Sequence, residues 1–380
     1  MSSGMFQIGI VGAGPAGSTC AQVLGEAGVK VAIFDHSHPR EKPCGGFIED
    51  RVVEEFEIPK MLLENEVKWN LAERFGLRTN FLFERSQFLV SRKDFDQYLL
   101  QRALRNRSVT FFDEKVDEVR EEKEKWTLRT NRGKSIKVKF LIGADGCPSL
   151  TRKYVNKPIP EKFLAVTAGY DFSCSSEYLE KNFAKNSVEV YYSRRYVKKG
   201  GFIWIFPKKT KVNVGIGSRE TGSKLKQTLD SFISLHPAGK RLKNLEGRFF
   251  AHLIPAVWMK SFFDLPCSGN NWALIGDAAG HVNPIGGLGI YYAMKGGLLC
   301  GSAFLDGDIH LFDQYWRKEY GNELYSAAGG VSKFYSNSGF ALWIAFILKN
   351  FLTKSRLFPS TDKIRGSKKI SPKHNRNEAF

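Results

Sequence analysis

The sequence predicts an α/β protein: a Rossmann-like domain carrying an inserted β-rich domain, followed by a helical C-terminal part. Three observations predict it. The strand-like run Gln7-Ile8-Gly9-Ile10-Val11 passes directly into Gly12-Ala13-Gly14-Pro15-Ala16-Gly17, and the next apolar run, Val31-Ala32-Ile33-Phe34, closes on Asp35. Two further buried runs end the same way, Phe140-Leu141-Ile142 at Gly143-Ala144-Asp145-Gly146 and Trp272-Ala273-Leu274-Ile275 at Gly276-Asp277. Between them, from about Phe163 to Phe250, the pattern turns to short, aromatic-rich runs of the kind that build a separate sheet.

The first unit reads strand, glycine turn, helix, strand, acid, the order of a Rossmann-like dinucleotide site. Gly12 permits the tight turn, Gly14 lets backbone approach a pyrophosphate, and Gly17 lets the helix pack on its strand. The amides opening the helix face the phosphates, and Asp35 is placed to accept hydrogen bonds from an adenosine ribose. A loop from His36 to Gly46 follows, and Glu49 to Glu66 reads as a helix. Phe95, Tyr98 and Leu99 predict an amphipathic helix over Lys93 to Leu100. Val109 to Asp113, Val116 to Glu121 and Trp126 to Asn131 read as strands, as do Val188 to Tyr192, Gly201 to Phe206 and Lys211 to Ile216 in the insertion. A helix is expected from about Gly289. The resulting domain bounds are 1–60, 88–155 and 268–310 for the discontinuous cofactor domain, and 61–87 and 156–267 for the β-rich substrate domain. A helical C-terminal region over 311–358 and a basic tail over 359–380 complete the chain.

The chain has 380 residues and a formal net charge of +18. Such a charge suggests nucleic acid first, but no nucleic-acid motif accompanies it, and none is expected as a partner. Much of the excess lies beyond Pro359, in Lys363, Arg365, Lys368, Lys369, Lys373 and Arg376. A basic face also suits anionic lipid headgroups or an acidic electron-donor protein. No signal peptide and no run of the ~20 apolar residues needed to span a bilayer is read. Six cysteines lie far apart without metal-ligand spacing, as in a cytoplasmic protein with reduced thiols. Phe340 to Leu352 is apolar on nearly all sides and flanked by lysines. It reads either as a buried core helix or as a helix lying on a membrane surface.

The three glycine-and-acid segments together resemble the flavoprotein superfamily typified by aromatic hydroxylases, over residues 5 to 300. Ser149 and Arg152 continue the middle segment as in that superfamily's Asp-Gly-x-x-Ser-x-x-Arg pattern. More locally, Lys42-Pro43-Cys44-Gly45-Gly46, Phe202-Ile203-Trp204-Ile205-Phe206-Pro207 and Gly276 to Pro284 with Gly289 to Met294 resemble geranylgeranyl reductases. That family saturates double bonds of isoprenoid chains. The resemblance implies FAD as cofactor, with Ala16, Asp35, Cys44, Gly45, Arg92, Val116, Asp277, Gly289 and Ile290 as contacts, Asp277 on the ribityl chain. Gly46 and Gly287 join them by position in the same loops. No second nicotinamide motif is present, so electrons are expected from transiently bound NADPH or a reduced protein donor such as ferredoxin. Two departures stand out. The family usually carries tyrosine where Phe202 stands, which removes a hydroxyl from the substrate site. Archaeal members often carry Thr-Gly-Glu-Gly in place of Gly286-Gly287-Leu288-Gly289, which leaves the substrate open.

The chemistry can also be read from the residues. Saturating an isolated alkene needs a hydride from the flavin and a proton at the neighbouring carbon. Glycines 286, 287 and 289 let backbone approach a flat ring, and the helix after them points its positive end at the ring's pyrimidine edge. Thiols hold their proton at neutral pH, so Cys44 is a candidate proton donor or substrate-positioning group. It reads equally as a small packing residue beside two glycines. Phe202, Trp204 and Phe206 share one face of a strand, either as ordinary core or as the wall of a substrate tunnel. The same segment is similar to the Trp-x-Trp-x-Ile-Pro signature of flavin halogenases, but its first tryptophan is absent. The expected activity is an FAD-dependent reductase of a prenyl-lipid or prenyl-diphosphate substrate, cytoplasmic or peripheral at the membrane. The alternatives are a monooxygenase acting on an apolar substrate and a non-catalytic flavin- or lipid-binding protein.

Overall fold

The computed structural model describes residues 5–198, 200–219 and 224–336. The expected apolar helix over 340–352 and the basic tail lie outside the described residues. Two eight-stranded sheets organise the rest. In the first, five strands run parallel in the spatial order Trp272–Leu274, Ser135–Gly143, Phe6–Val11, Val31–Phe34 and Val109–Phe112. Ser268–Gly269 pairs antiparallel on one edge, and a meander of Val116–Glu122 and Lys125–Thr130 joins through Ser135–Gly143. The parallel strands Phe6–Val11, Val31–Phe34 and Trp272–Leu274 are apolar over most of their length. Helices such as Pro15–Glu26 cover one face of the sheet, and the meander covers the other, with Val119, Trp126 and Leu128 packed on Val11, Ala32 and Phe34.

Phe6–Val11 lies at the centre, with Val31–Phe34 on one side and Ser135–Gly143 on the other. The chain reverses direction of travel across the sheet there. A crevice therefore opens at the carboxyl ends of the strands, where open α/β sheets bind ligands. All three glycine-and-acid segments follow strands that end on this edge.

The second sheet follows the order Gly247–Pro255, Leu164–Ser173, Lys211–Ser218, Gly201–Pro207, Ser187–Tyr192, Leu63–Arg74, Leu77–Val90 and Phe47–Ile48. Every neighbouring pair is antiparallel except Ser187–Tyr192 against Leu63–Arg74. One face packs under the helix Leu225–Leu235, whose Leu229 and Phe232 are fully buried against Ile203, Ile205, Val214 and Ile216. The opposite face carries Phe202, Trp204 and Phe206 towards the first sheet's carboxyl edge, the period of two along the strand deciding which residues face which way.

The helix expected over Glu49 to Glu66 is corrected. Only Asp50–Glu55 is α-helical, and a strand begins at Leu63. Glu57 takes a left-handed φ of 51° and Pro59 follows two residues later, so the helix cannot continue. The strand belongs to a long hairpin, Leu63–Arg74 with Leu77–Val90, that turns on Phe75 and Gly76 at φ 52° and 76°. Two consecutive left-handed residues form the turn whose twist matches antiparallel strands.

Candidate active site

The first motif separates structural glycines from a ligand-facing one. Gly12 sits at φ 99°, and a Cβ there would lie 2.3 Å from the Ala144 carbonyl oxygen. A Cβ on Gly17 would lie 1.9 Å from the Gly12 carbonyl oxygen. Gly14 differs. A Cβ on it meets no atom within 4 Å, so the backbone borders open space. The helix Pro15–Glu26 begins at that point with proline at its first position and no side chain capping it, which leaves its first amides for a ligand. This arrangement fits a pyrophosphate.

Asp35 closes the next strand and already organises the loop after it. Its carboxylate accepts from the Ala13 amide at 3.0 Å, from the Ser37 amide at 2.9 Å and from the Ser37 hydroxyl. Burial works against its charge, but Ser37, Arg40, Ala13 and His38 outweigh that and hold its pKa below the ordinary carboxylate value. Val116 begins its strand with the side chain packed among Val11, Ala32 and Phe34, away from the main cavity.

The middle motif serves the scaffold. Asp145 accepts from the Ser149 hydroxyl at 2.6 Å and the Thr151 amide at 2.8 Å, and burial pushes its pKa up. Arg152, on the short helix Leu150–Val155 that follows, donates to the Ala278 carbonyl at 3.0 Å. The second motif thereby fixes the backbone beside Asp277 in the third. Asp277 lines the cavity and faces the Lys42 ammonium at 3.9 Å. Gly289 ends the loop against Asp277, and the helix Ile290–Leu305 starts there without a side-chain cap.

Between the two sheets lies a cavity of about 330 Å³, within the ~300–1,000 Å³ usual for small-molecule sites. The loop Lys42 to Gly46 and the loop Pro284 to Gly289 both line it, and in the second the Ile285 carbonyl accepts from the Tyr335 hydroxyl at 2.6 Å. Phe202, Trp204 and Phe206 form one wall, so the stripe is cavity wall and buried cluster at once. The Trp204 indole N–H donates to Asn213 Oδ1 at 2.7 Å, and Asn213 donates to Asp171 at 2.8 Å, which fixes the ring. A Cβ on Gly45 would press on the Phe206 ring at 2.7 Å.

Cys44 is half-buried and lines the cavity. Its sulfur accepts from the Gly46 amide at 3.4 Å and lies beside the Arg92 guanidinium. Arg92 is fully buried and held by Asp96 through two hydrogen bonds of 2.8 Å. Burial opposes its charge, but Asp96 and Cys44 together outweigh burial and hold its pKa above the ordinary arginine value. The turn is pinned from below: Gly46 has φ 73°, its carbonyl accepts from Val90 N at 2.8 Å, and the buried Lys208 donates to the Val90 carbonyl at 2.7 Å. Lys211 adds an ion pair to Glu41 at 3.1 Å in the same loop.

Residues 5–304 match the FAD binding domain family. The chain belongs to that family. It is an FAD-dependent oxidoreductase and is similar to geranylgeranyl reductases. The digeranylgeranylglycerophospholipid reductase of Methanocaldococcus jannaschii is 28% identical over 310 residues, covering 78% of this chain and 76% of the relative. The geranylgeranyl diphosphate reductase of Synechocystis is 26% identical over 355 residues, covering 83% and 82%. Among solved structures, a geranylgeranyl bacteriochlorophyll reductase-like protein of Thermoplasma acidophilum shares the fold with a TM-score of 0.71 at 20% identity, covering 93% of this chain and 88% of that one.

Sequence reading left several site residues unnamed. Lys208 and Lys211 support the cysteine loop from another strand, and nothing in a lysine pair after Pro207 signals that. His252 neighbours Thr167 across paired strands, and burial, reinforced by Lys42, pulls its pKa down to about 4. Tyr192 and Arg219 extend the cavity wall beyond Phe202. Trp204, named from the sequence, is accommodated by Gly215 on the paired strand, where a Cβ would meet its ring at 2.1 Å.

Proposed function

We propose that the protein saturates isolated double bonds of an isoprenoid, geranylgeranyl-type chain. The observation that carries this reading is an apolar cavity lined by the Cys44 loop, the Gly286 to Gly289 loop and the aromatic wall of Phe202, Trp204 and Phe206. Bound FAD, once reduced by NADPH or a protein donor such as ferredoxin, supplies hydride for such a reaction. In the reading proposed, Gly12, Gly14, Ala16, Gly17 and Asp35 hold the adenosine diphosphate half, with Val116 at its outer end. Cys44, Gly45, Gly46, Arg92, Asp277, Gly287, Gly289 and Ile290 surround the flavin half.

The remaining side chains do the rest. Phe202, Trp204 and Phe206, with Val188 and Val190, take up the chain and exclude water from the reacting bond. The Cys44 thiol gives a proton to the alkene carbon next to the one receiving hydride. Arg92, fixed by Asp96, stabilises the thiolate left behind, and solvent reprotonates it after turnover. Phe202 stands where the family usually carries tyrosine, so that position offers no hydroxyl, and Tyr192 beside it brings a phenol to the same wall.

The test is anaerobic incubation of dithionite-reduced protein with a geranylgeranyl lipid, followed by mass spectrometry. Products heavier by whole pairs of hydrogens support the reading. An unchanged substrate refutes it, and oxygenated products formed only in air assign the protein to the monooxygenases instead.

A further inference from the structure

Among the described residues three cations line the cavity, and two are committed. Lys42 faces Asp277, and Arg92 is clasped by Asp96. The third is Arg219. Its backbone amide donates to the Gly200 carbonyl at 3.3 Å, and its guanidinium lies over the Trp258 indole at 5.7 Å from the ring centre. It is half-buried, and no carboxylate among the described residues pairs with it. Burial lowers its pKa from the ordinary arginine value, and an arginine so placed keeps its charge at any physiological pH.

Its place along the sheet is set by register. Phe206, which covers Gly45 beside Cys44, pairs with Asn213, and Gly201 pairs with Ser218, the residue before Arg219. Gly201 is five positions from Phe206, so Arg219 stands roughly 17 Å along the strand direction from Phe206, whose ring borders Gly45 together with the Trp204 indole. The wall between is Phe202 and Trp204 with Tyr192 alongside. The cavity thus has a thiol near Phe206, an apolar aromatic stretch along the strand, and a cation beyond Phe202. A half-desolvated cation without a counter-charge is costly unless an anion joins it. A guanidinium's planar fork suits phosphate oxygens through paired hydrogen bonds.

We propose that Arg219 anchors the anionic phosphate or diphosphate head of the prenyl substrate and thereby sets which double bond reaches Cys44. This rests on the reductase reading above. The shared chemistry is a phosphate ester of a prenyl chain, and its source is either a soluble prenyl diphosphate or a prenyl glycerophospholipid.

The experiment titrates the full-length FAD-bound protein with geranylgeranyl diphosphate, with geranylgeraniol, and with digeranylgeranyl glycerophospholipid in vesicles, following tryptophan fluorescence. Wild type is expected to bind the phosphate-bearing chains at least about tenfold tighter than the alcohol. The ratio should collapse in Arg219→Gln and be partly kept in Arg219→Lys. Tighter binding of the vesicle lipid than of the diphosphate assigns the source to the membrane, and the reverse to the soluble pool. A ratio equal to wild type in both variants overturns the anchor. Turnover is measured separately. If wild type binds phosphate through Arg219 yet reduces no substrate, the reductase reading fails and the anchor stands. If wild type reduces the chain and both variants reduce the same bonds with the same head-group preference, the reading stands and the anchor fails.

Discussion

Replacing Gly14 with valine separates binding from folding within a single motif. Gly14 has φ −68° and ψ −173°, extended backbone open to any residue, and its Cβ position has no neighbour within 4 Å. The valine side chain therefore fits the protein without its ligand, and thermal stability of the ligand-free protein should stay within about 0.5 kcal/mol of wild type. The same side chain projects into the space a pyrophosphate would fill, and it displaces the phosphates from the amides that open the helix Pro15–Glu26. Two hydrogen bonds to a charged group lost at roughly 1.5–3 kcal/mol each weaken FAD by about a hundredfold to ten-thousandfold. Flavin absorbance after gel filtration, with denaturation curves on the stripped proteins, reads both quantities. Gly12→Ala and Gly17→Ala are the contrast. Their methyl groups would lie 2.3 Å and 1.9 Å from carbonyl oxygens, so these variants should lose fold and flavin together. Tight FAD retention in Gly14→Val, or collapse of its ligand-free form, would refute the assignment of that open space to phosphate.

Cys44→Ala should keep bound FAD and its chemical reduction while slowing single-turnover reoxidation by a prenyl substrate about 10²–10⁴-fold. Lost thermal stability with intact turnover would instead make Cys44 a packing residue. Asp277→Ala should weaken FAD about tenfold to a hundredfold, measured by equilibrium dialysis, because one charge-assisted hydrogen bond is removed from the proposed ribityl contact. Stability should also fall with acid. His281 is fully buried with Nδ1 3.0 Å from the Tyr320 hydroxyl, and burial pulls its pKa down to about 3, as it pulls His252 down to about 4. Both fold as neutral rings, so the unfolded chain binds more protons below its histidine pKa of 6.5. Their contribution is fully present above pH 6.5 and is lost as pH falls through that value towards 3. Urea midpoints across this window should drop in wild type and drop less in His281→Gln. Equal slopes would remove His281 from the account.

Much of the cofactor half was legible because its constraints are local. Gly12, Gly14, Gly17 and Asp35 lie within one βαβ unit, and each answers a backbone requirement visible in the sequence. The hairpin from Leu63 to Val90 was hidden for a different reason. Its exposed face carries Lys68, Arg78 and Glu84, its pairing slips at irregularities near Asn65 and Trp69, and Phe75 occupies a turn position where asparagine or glycine is the usual signal. The helical reading of Glu49 to Glu66 failed at Glu57 because a left-handed glutamate has no sequence signature. Lys208 beneath Gly46 and Arg219 over Trp258 act across strand pairings, so only register brings them to the cavity. The Asp145 motif was legible as a pattern and not as a role: its carboxylate holds a helix, and Arg152 carries the effect to Ala278.

The helix Pro15–Glu26 is sealed by the helix Ile290–Leu305, so closely that a Cβ on Gly297 would lie 2.3 Å from the Ala16 carbonyl oxygen. Nearly three hundred residues of chain separate these partners. During synthesis the Gly12 to Gly17 turn therefore emerges first but keeps an uncovered apolar flank until the late helix leaves the ribosome. Pairings of such sequence separation are slow to form and expose sticky surface meanwhile. The nascent chain is thus most vulnerable to aggregation over the long interval in which the insertion is made, and flavin capture is confined to the last stage of maturation. Chaperone demand should follow translation through residues 160–290, and added flavin should rescue yield only after that interval has passed.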